Sequence, residues 1–340
     1  MKNDIRSYFG QGLKQTRRGR TPKRTVARSI EVLEDRALAT AGMTQSLGAD
    51  FAALRAGGTA HVTFHESRQG IKAKSLSNVA YLNDHGRVQH LDLYLPAGPK
   101  PEGGFPVILA IPGGGWRWVR RNDLGSTVSS FTKDGFAVAV TDYAFASNTV
   151  GTSVWPRNLT DVQQAVRWLR GNSGRYGLNP GMIAAWGESA GGNLAALLGT
   201  TSGAAGSDHS AQVQAVVDFY GPAELTRLYQ EAPGTRSYLV TFLGGTPSDY
   251  PARYLAASPA DHVTPNDPPF LILQGTSDTS VPPDQSASLL KALQESGVPV
   301  KAEFLQGQPH GFRLNVGFDL RTEIVKFLRS AFDGQRVGSG

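Results

Sequence analysis

The sequence predicts an α/β fold: a mostly parallel, doubly wound sheet with antiparallel strands at its start. Three observations carry this expectation. Short apolar runs alternate along the chain with amphipathic stretches of helical period, the pattern of repeated βαβ units. Two segments of alternating polarity lead into the first of these runs. A Gly-Glu-Ser-Ala-Gly pentapeptide sits where one apolar run meets one helix-like run.

The lead-in segments are Ser77 to Leu82 and Val88 to Leu95, where Leu91, Leu93 and Leu95 alternate with Asp92 and Tyr94. The apolar runs follow at 105–111, 136–141, 182–186, 213–219, 270–273 and 300–305. Asn158 to Arg170 and Ser286 to Gln294 are among the amphipathic stretches between them. Residues 223–267 form the main insertion, read as a short cap carrying five aromatic residues among prolines.

Met182 to Trp186 reads as a strand and Asn193 to Leu198 as a helix, which places Ser189 on a tight strand-to-helix turn. In that setting Gly-x-Ser-x-Gly presents a nucleophilic serine. Glycine at 187 and 191 has a steric reason, because the elbow presses its backbone against neighbouring chain. Phe105 to Ile111 reads as a buried strand that runs into Pro112-Gly113-Gly114-Gly115-Trp116. A glycine run there lets backbone N–H groups point into a site. Gly114, Gly115 and the N–H of Ala190 are the expected donors to an oxyanion, each worth about 3 to 4 kcal/mol of barrier.

Serine needs a base, and the base needs an orienting carboxylate. Acid and base follow the serine in chain order for this kind of elbow. Three histidines lie after Ser189. His209 falls in a polar stretch and His262 in a Pro-rich segment, whereas His310 lies on the loop after Val300 to Leu305. Asp278 lies on the loop after Phe270 to Leu273, at the same sheet edge, and is the expected acid.

Pro112 to Trp116, Asp142-Tyr143, Trp186 to Gly192, Phe219 to Pro222, Gln274 to Asp278 and Pro309 to Phe312 occur together in the order seen in α/β-hydrolase esterases. The chain resembles the carboxylesterases grouped with bacterial feruloyl and acetyl-xylan esterases, related to the hormone-sensitive lipase group. The resemblance spans roughly residues 75–332 and implies Ser189 as nucleophile, Asp278 as orienting acid, His310 as base, and Gly114, Gly115 and Ala190 as oxyanion donors. One position departs from it: the family usually carries His where this chain has Pro112.

The expected chemistry is hydrolysis of short acyl or aryl esters, including carbohydrate-borne ones, through an acyl-enzyme. Trp116, Tyr143 and Tyr220 are the expected substrate contacts, since aromatics at loop positions can stack on a sugar or an aryl group. Two other functions stay open: an arylformamidase or peptidase on the same fold, and a non-catalytic binding module whose basic tail engages a polyanion. No cofactor is expected, no metal-ligand spacing occurs, and the tri-glycine lacks the Gly-Lys-Ser/Thr ending of a phosphate loop.

The chain carries 34 Lys and Arg against 28 Asp and Glu, and residues 1–40 hold ten and four of these, so the remaining 300 residues are neutral. The first 40 residues read as a basic, disordered leader, 41–74 as linker and lead-in, 75–332 as the catalytic domain and 333–340 as a flexible tail. Few apolar residues accompany the basic ones, so no nucleic acid is expected as a partner. Arg28 to Leu38 resembles a Leu-Glu-Asp-Arg-type leader of bacterial envelope and exported proteins, which implies export, with the cytoplasm as alternative. The apolar core of a cleaved signal peptide does not follow it, and no stretch reaches the roughly 20 apolar residues of a membrane span. Cysteine is absent, so disulfides and thiolate metal sites are excluded.

Overall fold

The computed structural model describes residues 61–66, 72–84, 87–118, 121–146, 153–202, 211–314 and 319–337. The leader 1–40, most of the stretch read as linker, His209 and the last three residues lie outside them.

Among the described residues nine strands form one sheet in the order β1-β2-β3-β5-β4-β6-β7-β8-β9. They are β1 (His61–Glu66), β2 (Lys72–Asp84), β3 (Arg87–Leu95), β4 (Phe105–Ile111), β5 (Ala137–Thr141), β6 (Leu178–Glu188), β7 (Ala215–Phe219), β8 (Phe270–Gly275) and β9 (Val300–Leu305). β1, β2, β3 and β5 pair antiparallel. From β5 across to β9 every pairing is parallel. The first strand falls within the stretch read as linker and lead-in, where its sequence, His-Val-Thr-Phe-His-Glu, carries too few apolar residues to signal a strand.

The α-helices of six or more residues among the described residues are α1 (Arg121–Val128), α2 (Arg157–Gly171), α3 (Ala190–Thr201), α4 (Leu225–Glu231), α5 (Arg236–Leu243), α6 (Pro251–Ala256), α7 (Pro283–Glu295) and α8 (Leu320–Val337). Helices α4 to α6 lie in the cap insertion. None of the described helices is long and apolar enough to cross a membrane.

The central strands are apolar on both faces because helices cover both. Val107, Leu109 and Ile111 of β4 face one core cluster with α2 and α3, while Ile108 and Ala110 face a second with α1 and α8. In the second cluster Trp186 stacks on Phe219 at 4.8 Å and meets Phe131 edge-on at 5.2 Å. The cap joins the first cluster through Leu225, Leu228, Leu239, Phe242, Leu243 and Tyr254, all buried. Edge strand β9 is only half-buried, with Val300, Ala302 and Phe304 on one face and Lys301, Glu303 and Leu305 on the other.

One buried charge ties the antiparallel start to this core. Asp161 on α2 accepts from Arg87 Nη1 at 2.6 and 2.7 Å, from Gln89 at 3.1 Å and from the Ala144 N–H at 2.8 Å. Removing the arginine leaves a buried carboxylate with its strongest donor gone, which is costly even though two neutral donors remain. Arg87→Ala is expected to lower unfolding free energy by about 2 kcal/mol, and adding Asp161→Asn to recover much of that loss. Urea denaturation of the single and double variants measures both.

Candidate active site

Ser189 sits between β6 and α3 with φ 54° and ψ −119°, a conformation side-chain-bearing residues rarely adopt. The elbow is possible because its flanks are bare. A Cβ on Gly187 would lie 2.0 Å from the Gly191 carbonyl oxygen, and one on Gly191 would lie 2.0 Å from that of Ile111. The Ser189 N–H donates to the Phe219 carbonyl at 2.9 Å, and its carbonyl accepts the Asn193 N–H at 3.0 Å. The serine is thereby fixed to β7 on one side and to the first turn of α3 on the other.

His310 Nε2 lies 3.0 Å from Ser189 Oγ, and His310 Nδ1 lies 2.6 Å from Asp278 Oδ2. A carboxylate can only accept, so the proton belongs on Nδ1, leaving Nε2 free to accept from the serine hydroxyl. The other oxygen of Asp278 accepts the N–H groups of Ser280 and Val281, each at 2.9 Å. Asp278 is buried and His310 partly open to solvent. The three side chains come from loops after β6, β8 and β9, all at the carboxyl ends of parallel strands.

The loop after β4 carries the glycines. Gly114 and Gly115 have φ 131° and 59°, values that favour glycine. Among the described residues, no backbone hydrogen bond occupies the N–H of either. The Ala190 N–H opens α3 and belongs to the first turn, whose donors lack intrahelical acceptors. Gly113, not singled out from sequence, lies against Ser189: a Cβ there would sit 2.8 Å from the Glu188 carbonyl oxygen and 3.3 Å from Ser189 Cβ.

The three aromatics expected to touch substrate are buried instead, each 3% exposed or less. Tyr143 donates its hydroxyl to the Pro112 carbonyl at 2.8 Å, beneath the loop. Trp116 stacks on Phe242 of the cap with ring centroids 4.4 Å apart. Tyr220 packs its ring against His310 at 4.7 Å and against Phe312 at 5.0 Å. They support the site from below because their rings offer more apolar area than an open loop would leave in water. Trp118 and Phe145, by contrast, are 47% and 60% exposed beside the same loop. His262 is turned to the Ala256 carbonyl at 3.1 Å, within the cap.

Two carboxyls beside the elbow are shifted. Burial pushes Glu188 up to about 7, with the opposing pull of His310 and Arg313 too weak to offset it. Asp218, at the end of β7, is pushed up to about 7 by burial, one oxygen accepting the Gly221 N–H at 2.9 Å and the other unpartnered among the described residues. Asn193 in the first turn of α3 also leaves its Oδ1 without a partner, while its amide donates to the Pro222 and Ala257 carbonyls. Among the described residues no cluster of three His, Cys, Asp or Glu side chains is placed to hold a metal ion.

A doubly wound sheet with a strained serine elbow after β6, an acid after β8 and a histidine after β9 defines the α/β-hydrolase fold. Within that fold the chain belongs to the BD-FAE family, whose model matches residues 91–293. It is 31% identical over 269 residues to the probable carboxylic ester hydrolase LipM of Mycobacterium tuberculosis, covering 75% of this chain and 61% of that one. It is 34% identical over 224 residues to the esterase LipC of the same organism, covering 62% of this chain and 53% of that one. The chain thus spans less than two thirds of the length of these curated relatives. Among solved structures, a truncated carbohydrate esterase from gut microbiota superposes with a TM-score of 0.66 at 25% identity, covering 78% of this chain and 98% of that one.

Two outcomes follow from these contacts. Tyr143→Phe strips the Pro112 carbonyl of its buried donor and is expected to cost about 1 to 2 kcal/mol of stability, read by chemical denaturation. Asp218 has its folded pKa raised from the ordinary carboxylate value to about 7. Its neutral form is therefore favoured by folding, and the resulting stability is whole below about pH 4 and lost as pH rises to about 7. Asp218→Asn keeps the acceptor and carries no charge. It is expected to be more stable than the parent by about 4 kcal/mol at pH 8, with the difference closing near pH 4; parallel melting curves across pH test this.

Proposed function

We propose that this chain is a serine carboxylic ester hydrolase acting through an acyl-enzyme on short acyl or aryl esters, including those borne by carbohydrates. The observation that carries the proposal is His310, hydrogen-bonded at once to Asp278 and to a serine held in a strained elbow.

Each step follows from the side chains present. Ser189 Oγ attacks the ester carbonyl while His310 Nε2 takes its proton. Asp278 stabilises the imidazolium so formed and holds the ring in the tautomer that can accept. Negative charge collects on the former carbonyl oxygen, where the N–H groups of Gly114, Gly115 and Ala190 serve as donors that need no rearrangement. His310 then returns the proton to the leaving alkoxide, and the ester bond breaks to leave acyl-Ser189. Water attacks this intermediate with His310 again as base, and serine is regenerated. Tyr220, packed on the imidazole, limits the ring's tilt through both halves of the cycle.

The preference for short or aryl acyl groups is supported by how the cap uses its apolar residues. Leu225, Leu228, Leu239, Phe242, Leu243 and Tyr254 are spent inside the core, so the insertion does not supply a large apolar lid. Carbohydrate-borne esters fit the exposed rings of Trp118 and Phe145, on which a sugar can stack, and the carbohydrate esterase among the structural relatives.

A fluorophosphonate is expected to add one adduct per chain, mapped by mass spectrometry to Ser189. Ser189→Ala is expected to lose about 10⁴-fold or more in kcat on p-nitrophenyl acetate. Wild-type rates in that variant would sink the assignment. Comparing p-nitrophenyl acetate, p-nitrophenyl octanoate, methyl ferulate and N-formylkynurenine sets the class: the octanoate is expected to be at least about tenfold poorer in kcat/KM than the acetate.

A further inference from the structure

The loop that supplies Gly114 and Gly115 is tied to the cap as well as to the loop after β5, and the hydrogen bonds to the cap come from one side chain. Arg117 Nη2 donates to the Ser237 carbonyl at 2.6 Å and to Thr241 Oγ1 at 2.8 Å, two acceptors one turn apart on α5. Its guanidinium also lies over the Tyr238 ring, 4.4 Å from the centroid. Tyr238 in turn presses on the loop itself: a Cβ added to Gly115 would lie 2.4 Å from Tyr238 Cδ1. Trp118, on the far side of Arg117, meets the same tyrosine edge-on at 6.3 Å. The arginine thus fixes a ring, and the ring closes on the glycine.

The backbone shows why this bears on chemistry. The Gly114 carbonyl accepts the Arg117 N–H at 3.1 Å, closing a turn. Across one trans peptide the carbonyl and the following N–H point in opposite directions. Whatever holds Arg117 therefore sets the direction of the Gly115 N–H, a donor assigned above to the developing oxyanion. A small rotation of that peptide leaves ester binding intact and weakens only the interaction made at the tetrahedral stage.

We infer that Arg117 is a positioning residue that latches the oxyanion loop to cap helix α5 through Ser237, Tyr238 and Thr241. The cap is then part of the catalytic scaffold and does not open as a lid during turnover. This rests on Ser189 acting as the nucleophile.

The test uses the full-length chain, p-nitrophenyl acetate and a trifluoromethyl ketone, which forms a tetrahedral adduct needing the same donors. Arg117→Ala is expected to lower kcat by about tenfold or more, with KM within about twofold, and to weaken the ketone in proportion to kcat/KM. Fluorophosphonate titration is expected still to find one reactive serine per chain. Arg117→Lys recovers only part of the rate, since an ammonium cannot reproduce the planar fork and the stacking together. Tyr238→Phe, which keeps the ring, stays near the parental rate. Tyr238→Ala matches Arg117→Ala, and the double variant is no slower than either, because both act through one contact. Should Arg117→Ala not fold, Thr241→Val removes a single acceptor and is expected to cost about two- to fivefold in kcat at constant KM. Parental kcat in Arg117→Ala, or in a folded Thr241→Val together with Tyr238→Ala, overturns the latch, and so does a loss confined to KM. If Ser189→Ala stays active, the reading beneath it fails separately.

Discussion

Everything at the active edge depends on one strained residue. Ser189 holds a positive φ at a cost of order 1 to 3 kcal/mol, and the surrounding chain must over-determine it. The sheet does this directly. Parallel pairing of β6 with β4 and β7 brings three backbones to the same edge, and the Ser189 N–H closes onto Phe219. The approach is so close that side chains at Gly187 or Gly191 would occupy neighbouring carbonyl oxygens. The elbow is therefore a property of the packed sheet, and the local sequence only permits it.

With the serine fixed, each partner is held by groups of its own. Asp278 has two backbone donors on one oxygen, so its other oxygen is aimed at the imidazole. The imidazole is flanked by Tyr220, whose own φ of 43° turns its ring toward His310 and Phe312. Strain recurs here for the same reason as at the serine: a strand end must redirect a side chain within a residue or two. Beneath, Asp218 carries an unpartnered oxygen in a buried place. A proton on it is the natural way to keep that oxygen from being an isolated buried charge, in keeping with the upward shift that burial causes.

Much of this is legible in the sequence, because the signals are local. Apolar runs flanked by turns locate six of the nine described strands, β4 and β9 to the residue and β6 only in its apolar half, and the segments Ser77 to Leu82 and Val88 to Leu95 locate the hairpin before them. Ser189, Asp278 and His310 could be placed on strand ends by the runs preceding them. What could not be read was the company a residue keeps. Tyr143, Trp116 and Tyr220 follow strands as surface aromatics do, and nothing in a local pattern says that Phe242 or His310 will cover them. Gly113 looked like its two neighbours, and only the approach of Glu188 sets it apart. Arg117 lies 120 residues from Ser237, so its tie to the cap has no sequence signature.

The departure at position 112 shows what that long-range company accomplishes. In the family this chain resembles, an imidazole usually stands before the three glycines, a side chain able to anchor the loop by hydrogen bonding. Here proline fixes its own φ instead, and the loop is anchored through its carbonyls. Pro112 accepts from Tyr143, Gly114 accepts from Arg117, and Trp116 accepts from the Ala146 N–H at 2.6 Å. The bond to the Gly114 carbonyl fixes that peptide plane and leaves the Gly115 N–H pointing the other way, while no backbone acceptor among the described residues takes the Gly114 N–H. A loop held by its acceptors keeps its donors unspent, which is the condition an oxyanion site must meet before any substrate arrives.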